Sequence, residues 1–163
     1  MQIAGVMIGS SLDGMDLGIY EWNHRDMQYE KRFISAHSIE LNQSIRENIY
    51  KWRSHNASLP TEQDHREFSI EVAHQLKGFF ADHTIQLIVF HGPTIIHQPS
   101  KALSMQLGCG DTLAQYLGIH VLTELRDLDM RYGGQGAPLM PILDEYLYNT
   151  FDYCINLGGI ANL

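Results

Sequence analysis

Cysteine is scarce in this chain. Its 163 residues include two, Cys109 and Cys154, too few for a disulfide framework and outside any CxxC or Cys/His zinc pattern. The nine histidines show no HxH or HxxxH spacing, so zinc is not expected. Basic residues are outnumbered: 11 Lys plus Arg face 19 Asp plus Glu, a formal net charge of −8. Nucleic acid and anionic lipid both require basic surface, so neither is an expected partner. No run approaches the ~20 apolar residues that span a bilayer. The opening MQIAGVMIGSSLDG lacks the basic region of a signal peptide. A cytoplasmic protein of a reducing compartment is the expectation. With 44 % hydrophobic residues the chain has material for a core, enough for one domain, or one and the start of another.

Residues 3–8 form a short apolar run that stops at Gly9, which reads as a buried strand. A Gly/Ser/Asp turn follows, then a second strand over 16–22, so the first two strands form a hairpin. A third strand is expected between residues 29 and 39. In 42–54, Ile45, Ile49 and Trp52 fall on one helical face. Thr61 with Asp64 three residues on starts a second helix, continued by Phe68, Val72, Leu76, Phe79 and Phe80. The continuous apolar run 85–90 reads as a central parallel strand. Beyond it the patterns predict a strand over 103–107, a helix over 111–117, a strand over 119–125, a flexible loop at 133–136, a helix over 138–148 and a last strand over 153–157. Strands in a hairpin series, then alternating with helices, define an α/β protein with a mixed sheet and flanking helices.

Four glycine-marked stretches could carry chemistry. The first loop, Gly9, Ser10, Ser11, Leu12, Asp13 and Gly14, followed by Met15 and Asp16, has the parts of a phosphate grip. Its backbone amides and hydroxyls suit an anion, and Asp13 or Asp16 could hold Mg²⁺. Turns also favour Gly, Ser and Asp for their own sake, and the Walker A lysine is missing. The second stretch, His91-Gly92-Pro93-Thr94, leaves the carboxyl end of the presumed central strand, where α/β sheets bind ligands; His91 and His97 could contact a sugar or phosphate there, or satisfy turn backbone. The third runs from Gly133 to Pro138, with Gln135 offering both a donor and an acceptor. Arg126, Asp127, Asp129 and Arg131 lie just upstream, either as a solvated face or at a cleft. The fourth is Asn156-Leu157-Gly158-Gly159, again a strand running into glycines. It stops near Leu163, so a second lobe is expected to begin there.

Together, GVMIGSSLDGMD (5–16), HGPTIIHQP (91–99), RYGGQGAPLMP (131–141) and NLGGIANL (156–163) resemble the N-terminal portion of the anhydro-N-acetylmuramic acid kinase family. The resemblance implies an RNase H-like lobe of the sugar kinase/Hsp70/actin superfamily over residues 1–150. Residues 151–163 would then be the first strand and phosphate-loop start of a second lobe. It implies ATP and Mg²⁺ as cofactors, a small anhydro amino sugar as substrate and a bacterial cytoplasmic setting, and it leaves a homodimer open. Residues Gly9 to Asp16 then look like the ATP-phosphate loop. Asn156, Gly158, Gly159 and Asn162 look like the second phosphate loop, and Gln135 with its glycines like cleft lining, with His91, His97, Arg126 and Asp129 as further candidates for sugar contact.

The chain departs from the family pattern in four places; at one, Ser10 stands where the family has threonine and keeps the hydroxyl. Ile8 stands where the family has serine, Pro93 where it has glutamine, and Glu124 where it prefers aspartate. The family's catalytic base belongs to an Asp-x-Gly-Pro-Gly-Asn stretch that these 163 residues do not contain. A diverged or inactive nucleotide- or sugar-binding lobe of the same fold is the alternative, and Ile8 and Pro93 are its support. A serine hydrolase built on Ser10 or Ser11 lacks the GxSxG elbow. A dinucleotide site at Gly108-Cys109-Gly110 lacks the third glycine.

Overall fold

The computed structural model describes residues 1–25, 28–54, 58–157 and 161–162. Strands β1 (Gln2–Ile8), β2 (Gly14–Arg25) and β3 (Gln28–Glu40) form an antiparallel meander. Helices α1 (Gln43–Arg53) and α2 (Glu62–Phe79) follow and lead to β4 (Ile85–His91), which pairs in parallel with β1. A small hairpin of β5 (Thr94–Gln98) and β6 (Leu103–Gln106) precedes α3 (Gly110–Leu117). Strand β7 (His120–Leu122) joins β4 in parallel and closes a five-stranded sheet of order β3-β2-β1-β4-β7. Short helices α4 (Asp127–Arg131) and α5 (Met140–Tyr148) come next, then the isolated pair β8 (Asn156–Leu157) and β9 (Ala161–Asn162). The mixed sheet with flanking helices is the one expected.

Alternation sets the core. Ala4, Val6 and Ile8 of β1 are buried, and they sit in register with Ile88 and Phe90 of β4 and with Leu17 and Met15 of β2. Against this face α1 buries Ile45 and Ile49, while α2 buries Phe68, Val72 and Leu76 at helical spacing. On the opposite face Met7, Tyr20, Phe33 and Leu122 remain exposed. Tyr20 and Phe33 meet there edge to face across β2 and β3, 5.6 Å between centroids. None of the residues of α5 is buried.

The α2 start signal is realised as a full capping box. The Thr61 hydroxyl accepts from the Asp64 N–H at 3.3 Å, and the Asp64 carboxylate accepts from the Thr61 N–H at 2.7 Å. Other expectations shift. The strand expected over 119–125 shrinks to His120–Leu122 because the chain turns at Glu124, which adopts φ +57° and accepts the Asp127 N–H. That turn launches α4, which periodicity did not announce. Helix α5 starts at Met140, with Pro141 rather than Pro138 in its first turn. The last strand is two residues long rather than five.

Polar contacts fix α3 against α2. Ser69 of α2 is fully buried, and its Oγ accepts the Cys109 N–H at 2.6 Å. The Nδ1 of His65, one turn earlier, lies 2.9 Å from the Gly108 carbonyl and 3.1 Å from its N–H, making one bond or the other with tautomer. Gly108 itself has φ +127°, and a Cβ there would strike the Phe90 ring. The glycines at 108 and 110 therefore serve close packing of α3, against Phe90 and Thr123 respectively. Ser69→Ala leaves the Cys109 amide without its partner. We expect a loss of about 1–3 kcal/mol, read as a lower urea midpoint at unchanged m; an unaltered midpoint would show that the Cys109 amide does not depend on this hydroxyl.

Candidate functional site

Three parallel strands deliver their carboxyl ends to one edge of the sheet. Strand β1 opens there into Gly9–Gly14, β4 into His91-Gly92-Pro93, and β7 into Thr123-Glu124-Leu125-Arg126. The register pairs Met7 with His91, so the first two loops start level with each other. This is the edge where open α/β sheets place ligands.

In the first loop, a backbone bond from the Leu12 N–H to the Gly9 carbonyl (3.3 Å) closes the turn. Leu12 adopts φ +59°, and its side chain is fully buried in the core beside Ile8 and Met15. Burying leucine gains ~1.5–3 kcal/mol, which outweighs the ~1–2 kcal/mol cost of left-handed backbone at a non-glycine residue. The turn is therefore anchored from below, with Ser10, Ser11 and Asp13 exposed above. The Ser11 hydroxyl donates to the Asp13 carboxylate at 2.7 Å. That bond, with the N–H groups of Asp13 and Gly14, holds the Asp13 carboxyl below the usual aspartate range. The N–H groups of Ser10 and Ser11 enter no backbone bond of the turn. Asp16 lies on the open face of the sheet, in a row with Met7 and Ser38.

The second and third loops come together at His91 and Arg126. His91 is only 8 % exposed, and both its ring nitrogens are buried without a partner. Burial above all, and then the Arg126 guanidinium nearby, pushes its pKa below the ordinary histidine value, with neighbouring backbone of His91 and Gly92 opposing. Arg126 donates from Nη1 to the Gly136 carbonyl at 2.6 Å, and its Nε is buried and unpartnered. Asp129 accepts the Gly136 N–H at 2.7 Å. The pair thus clasps one residue's backbone on both sides and folds the glycine loop back onto α4. Gln135, one residue earlier, is exposed. Gly92 is needed for close approach, because a Cβ there would collide with the Leu107 carbonyl. Pro93 gives no N–H, yet its carbonyl accepts the Leu107 N–H at 2.9 Å.

His97 does not join this group through any bond. Its Nδ1 lies 3.2 Å from the Ser104 hydroxyl within the β5–β6 hairpin. Asn156 stands in β8, half-buried. Gly158 and Gly159 lie outside the described residues, and Asn162 is placed only by its backbone pairing with Asn156. Among the described residues no group of three or more His, Cys, Asp or Glu could hold a metal by itself. A phosphate-bound Mg²⁺ needs only one or two carboxylates, which the exposed Asp13 and Asp16 can supply.

Two features were not anticipated. A cavity of about 690 Å³ opens between the starts of α2 and α3 and the end of β7, lined in part by His65, Arg66, Gln106, Cys109, Asp111 and Glu124. That volume suits a small molecule. Arg53, the last residue of α1, reaches from Nε to the Thr94 carbonyl (2.8 Å) and from Nη1 to the Ser10 carbonyl (3.0 Å). A basic residue at a helix end carries no sequence signal for such a reach.

An α/β fold with glycine turns and two half-buried guanidinium groups at the carboxyl edge of its parallel strands has the layout in which open α/β sheets place ligands. The chain belongs to the anhydro-N-acetylmuramic acid kinase family, whose model matches residues 1–163. It is 33 % identical over 171 residues to the anhydro-N-acetylmuramic acid kinase of Paramagnetospirillum magneticum, covering 100 % of this chain and 47 % of that protein. It is 31 % identical over 182 residues to the anhydro-N-acetylmuramic acid kinase of Psychrobacter cryohalolentis, covering 98 % of this chain and 43 % of that one. The chain thus spans about half the length of the curated relatives it matches. Among solved structures, Thermus thermophilus RuvC aligns over 91 % of this chain and 81 % of that one at 10 % identity and a TM-score of 0.38, a likeness too remote to support any inference. No helix among the described residues is long and apolar enough to cross a membrane.

The buried imidazole has a pH signature. Its folded pKa lies below the unfolded value of about 6.5. The unfolded chain therefore takes up its proton first on acidification. The stability this neutral ring contributes is complete above pH ~6.5 and falls as pH drops toward the folded pKa. We expect the melting temperature to decline between pH 7.5 and 5.5, and His91→Gln to flatten that decline. An equal slope in the variant would place the titration elsewhere.

Proposed function

We propose that this chain is the N-terminal half of an ATP-dependent sugar kinase. Its reaction would open the 1,6-anhydro bridge of anhydro-N-acetylmuramic acid with water and form N-acetylmuramic acid 6-phosphate, a step of bacterial peptidoglycan recycling in the cytoplasm. The observation that carries this reading is the family match along the whole of residues 1–163. Residues 1–150 then form an RNase H-like lobe of the actin-like ATPase superfamily, a reading supported by a three-stranded meander followed by two parallel strands. Residues 151–163 begin a second lobe, and Asn156, Gly158, Gly159 and Asn162 contribute its phosphate loop. A homodimer is compatible with this reading.

The residues at the strand edge fit the roles this reaction needs. The anion of a nucleotide would lie against the Ser10 and Ser11 amides, which the turn leaves out of its own backbone bond. Asp13 and Asp16 would hold Mg²⁺ with water completing its shell. Magnesium-bound ATP supplies the transferable phosphoryl group and offsets its charge. His91, His97, Arg126, Asp129 and Gln135 would line the sugar side. Neutral at physiological pH, a buried His91 can donate one hydrogen bond and accept another, as a sugar hydroxyl requires. Arg126 keeps one nitrogen in hand while bracing the loop that carries Gln135. The base that deprotonates the attacking water comes from the second half, as the departing bridge oxygen takes the phosphoryl group. Closure of two lobes would exclude bulk water during transfer.

In a coupled ADP-release assay with anhydro-N-acetylmuramic acid, the 163-residue chain alone should show no measurable turnover. The full-length enzyme should release ADP only when the sugar is present. Sugar-independent or absent release from a folded full-length protein favours the diverged, inactive lobe instead. Within an active full-length enzyme, Asp13→Asn keeps a carbonyl for the Ser11 hydroxyl but removes the charge. Turnover should fall at least ~10-fold, about 1.4 kcal/mol of transition-state stabilisation, with the melting temperature little changed. Normal kinetics with a lowered melting temperature would assign Asp13 to the turn alone.

A further inference from the structure

Arg53 is the structural link between the first two loops, and it is chemically unfinished. Two of its three nitrogens are spent on the carbonyls of Ser10 and Thr94. The third, Nη2, is buried without a hydrogen-bond partner. Among the described residues no carboxylate forms an ion pair with it; the ion-paired arginines are Arg32, Arg46, Arg66 and Arg131. Loss of solvent pushes its pKa below the usual arginine range, so the protein bears a desolvation cost there. Helix capping does not explain this geometry. The C-terminal carbonyl of Lys51 is already served by the Ser54 N–H and hydroxyl, and the Arg53 side chain leaves the helix altogether. A partly buried guanidinium with one unpartnered nitrogen, beside a serine-rich turn whose amides are available, presents hydrogen-bonding capacity that an anion would complete.

We propose that Arg53 is the cation of the nucleotide-phosphate site: Nε and Nη1 lock the Gly9–Gly14 loop to the β4–β5 turn, and Nη2 takes a phosphate oxygen. The inference rests on the nucleotide reading of that loop and supplies the positive charge that a loop without a Walker lysine otherwise lacks. Ligand binding would then stiffen both loops at once, because one planar group touches both. Lysine cannot replace it, since a single ammonium cannot reach two carbonyls and the anion in a fixed fork.

The test uses the ¹⁵N-labelled full-length enzyme titrated with inorganic tripolyphosphate and with ADP, each with and without Mg²⁺. Saturable shifts are expected at the amides of the first loop and at the Arg53 Nε–H together. Arg53→Gln should weaken binding at least ~10-fold, the expected scale for a lost charge-assisted bond, while the spectrum remains that of a folded protein. Arg53→Lys should weaken it too, and decides the matter if the glutamine variant does not fold. Wild-type affinity in a folded variant overturns the role of Arg53 and leaves the loop reading intact. If the wild-type loop amides do not move with either polyphosphate, the nucleotide reading itself fails, and this inference with it.

Discussion

Parallel pairing of β1 with β4 is the constraint on which the rest of the molecule depends. The pairing puts Ala4 beside Ile88 and Val6 beside Phe90 on the face that α1 and α2 cover. A slip of one residue would turn those side chains outward and bring Met7 and its neighbours into the core. Because the strands run the same way, Ile8 and His91 end at the same edge, and β7 adds a third end beside them. An antiparallel β4 would send His91 to the far side of the sheet. The candidate site is thus a consequence of strand direction before it is a matter of any side chain.

At that edge a chain of net charge −8 collects positive charge that is not neutralised by its own carboxylates. The four ion pairs among the described residues lie on the surface, where such pairs contribute little. Arg53 and Arg126 instead give up solvent to bond backbone carbonyls, and each retains one buried, unpartnered nitrogen. His91 stays neutral beside Arg126, which avoids adding a second charge to the same low-dielectric spot. Two guanidinium groups therefore stand under the loops of an acidic protein with no ion pair to a carboxylate among the described residues. Overall charge speaks against polyanionic macromolecules; it does not speak against one small anion held at a strand end.

Much of the fold is legible in the sequence because local rules act where they are strongest. The apolar runs at residues 3–8 and 85–90 are β1 and β4, and the Thr61/Asp64 pair is a complete capping box. Phe68, Val72 and Leu76 form the buried face of α2. Legibility weakens where tertiary contacts decide. Strand β5 pairs only with its hairpin partner, and its five residues are too few to set a pattern of their own. Helix α4 is also five residues long, too short to show a period, and depends on the left-handed turn at Glu124. Of the site, the glycine turns and His91 are visible as types and positions. Arg53 is not, because its partners lie 41 and 43 residues away in sequence.

The first loop shows how such a site is held in shape. Glycines at both ends suggest a turn defined by backbone freedom, yet its left-handed residue is Leu12, and neither Gly9 nor Gly14 adopts a positive φ. Its shape is imposed by a side chain locked into the core between β1 and β2, at a backbone cost that burial exceeds. Arg53 then fixes the loop from the side through the Ser10 carbonyl. With Leu12 below and Arg53 beside it, the Ser10 and Ser11 amides have little freedom to reorient. A floppy glycine loop would spend ordering entropy whenever an anion arrived; a loop pinned at two points has spent it during folding, together with the rest of the core.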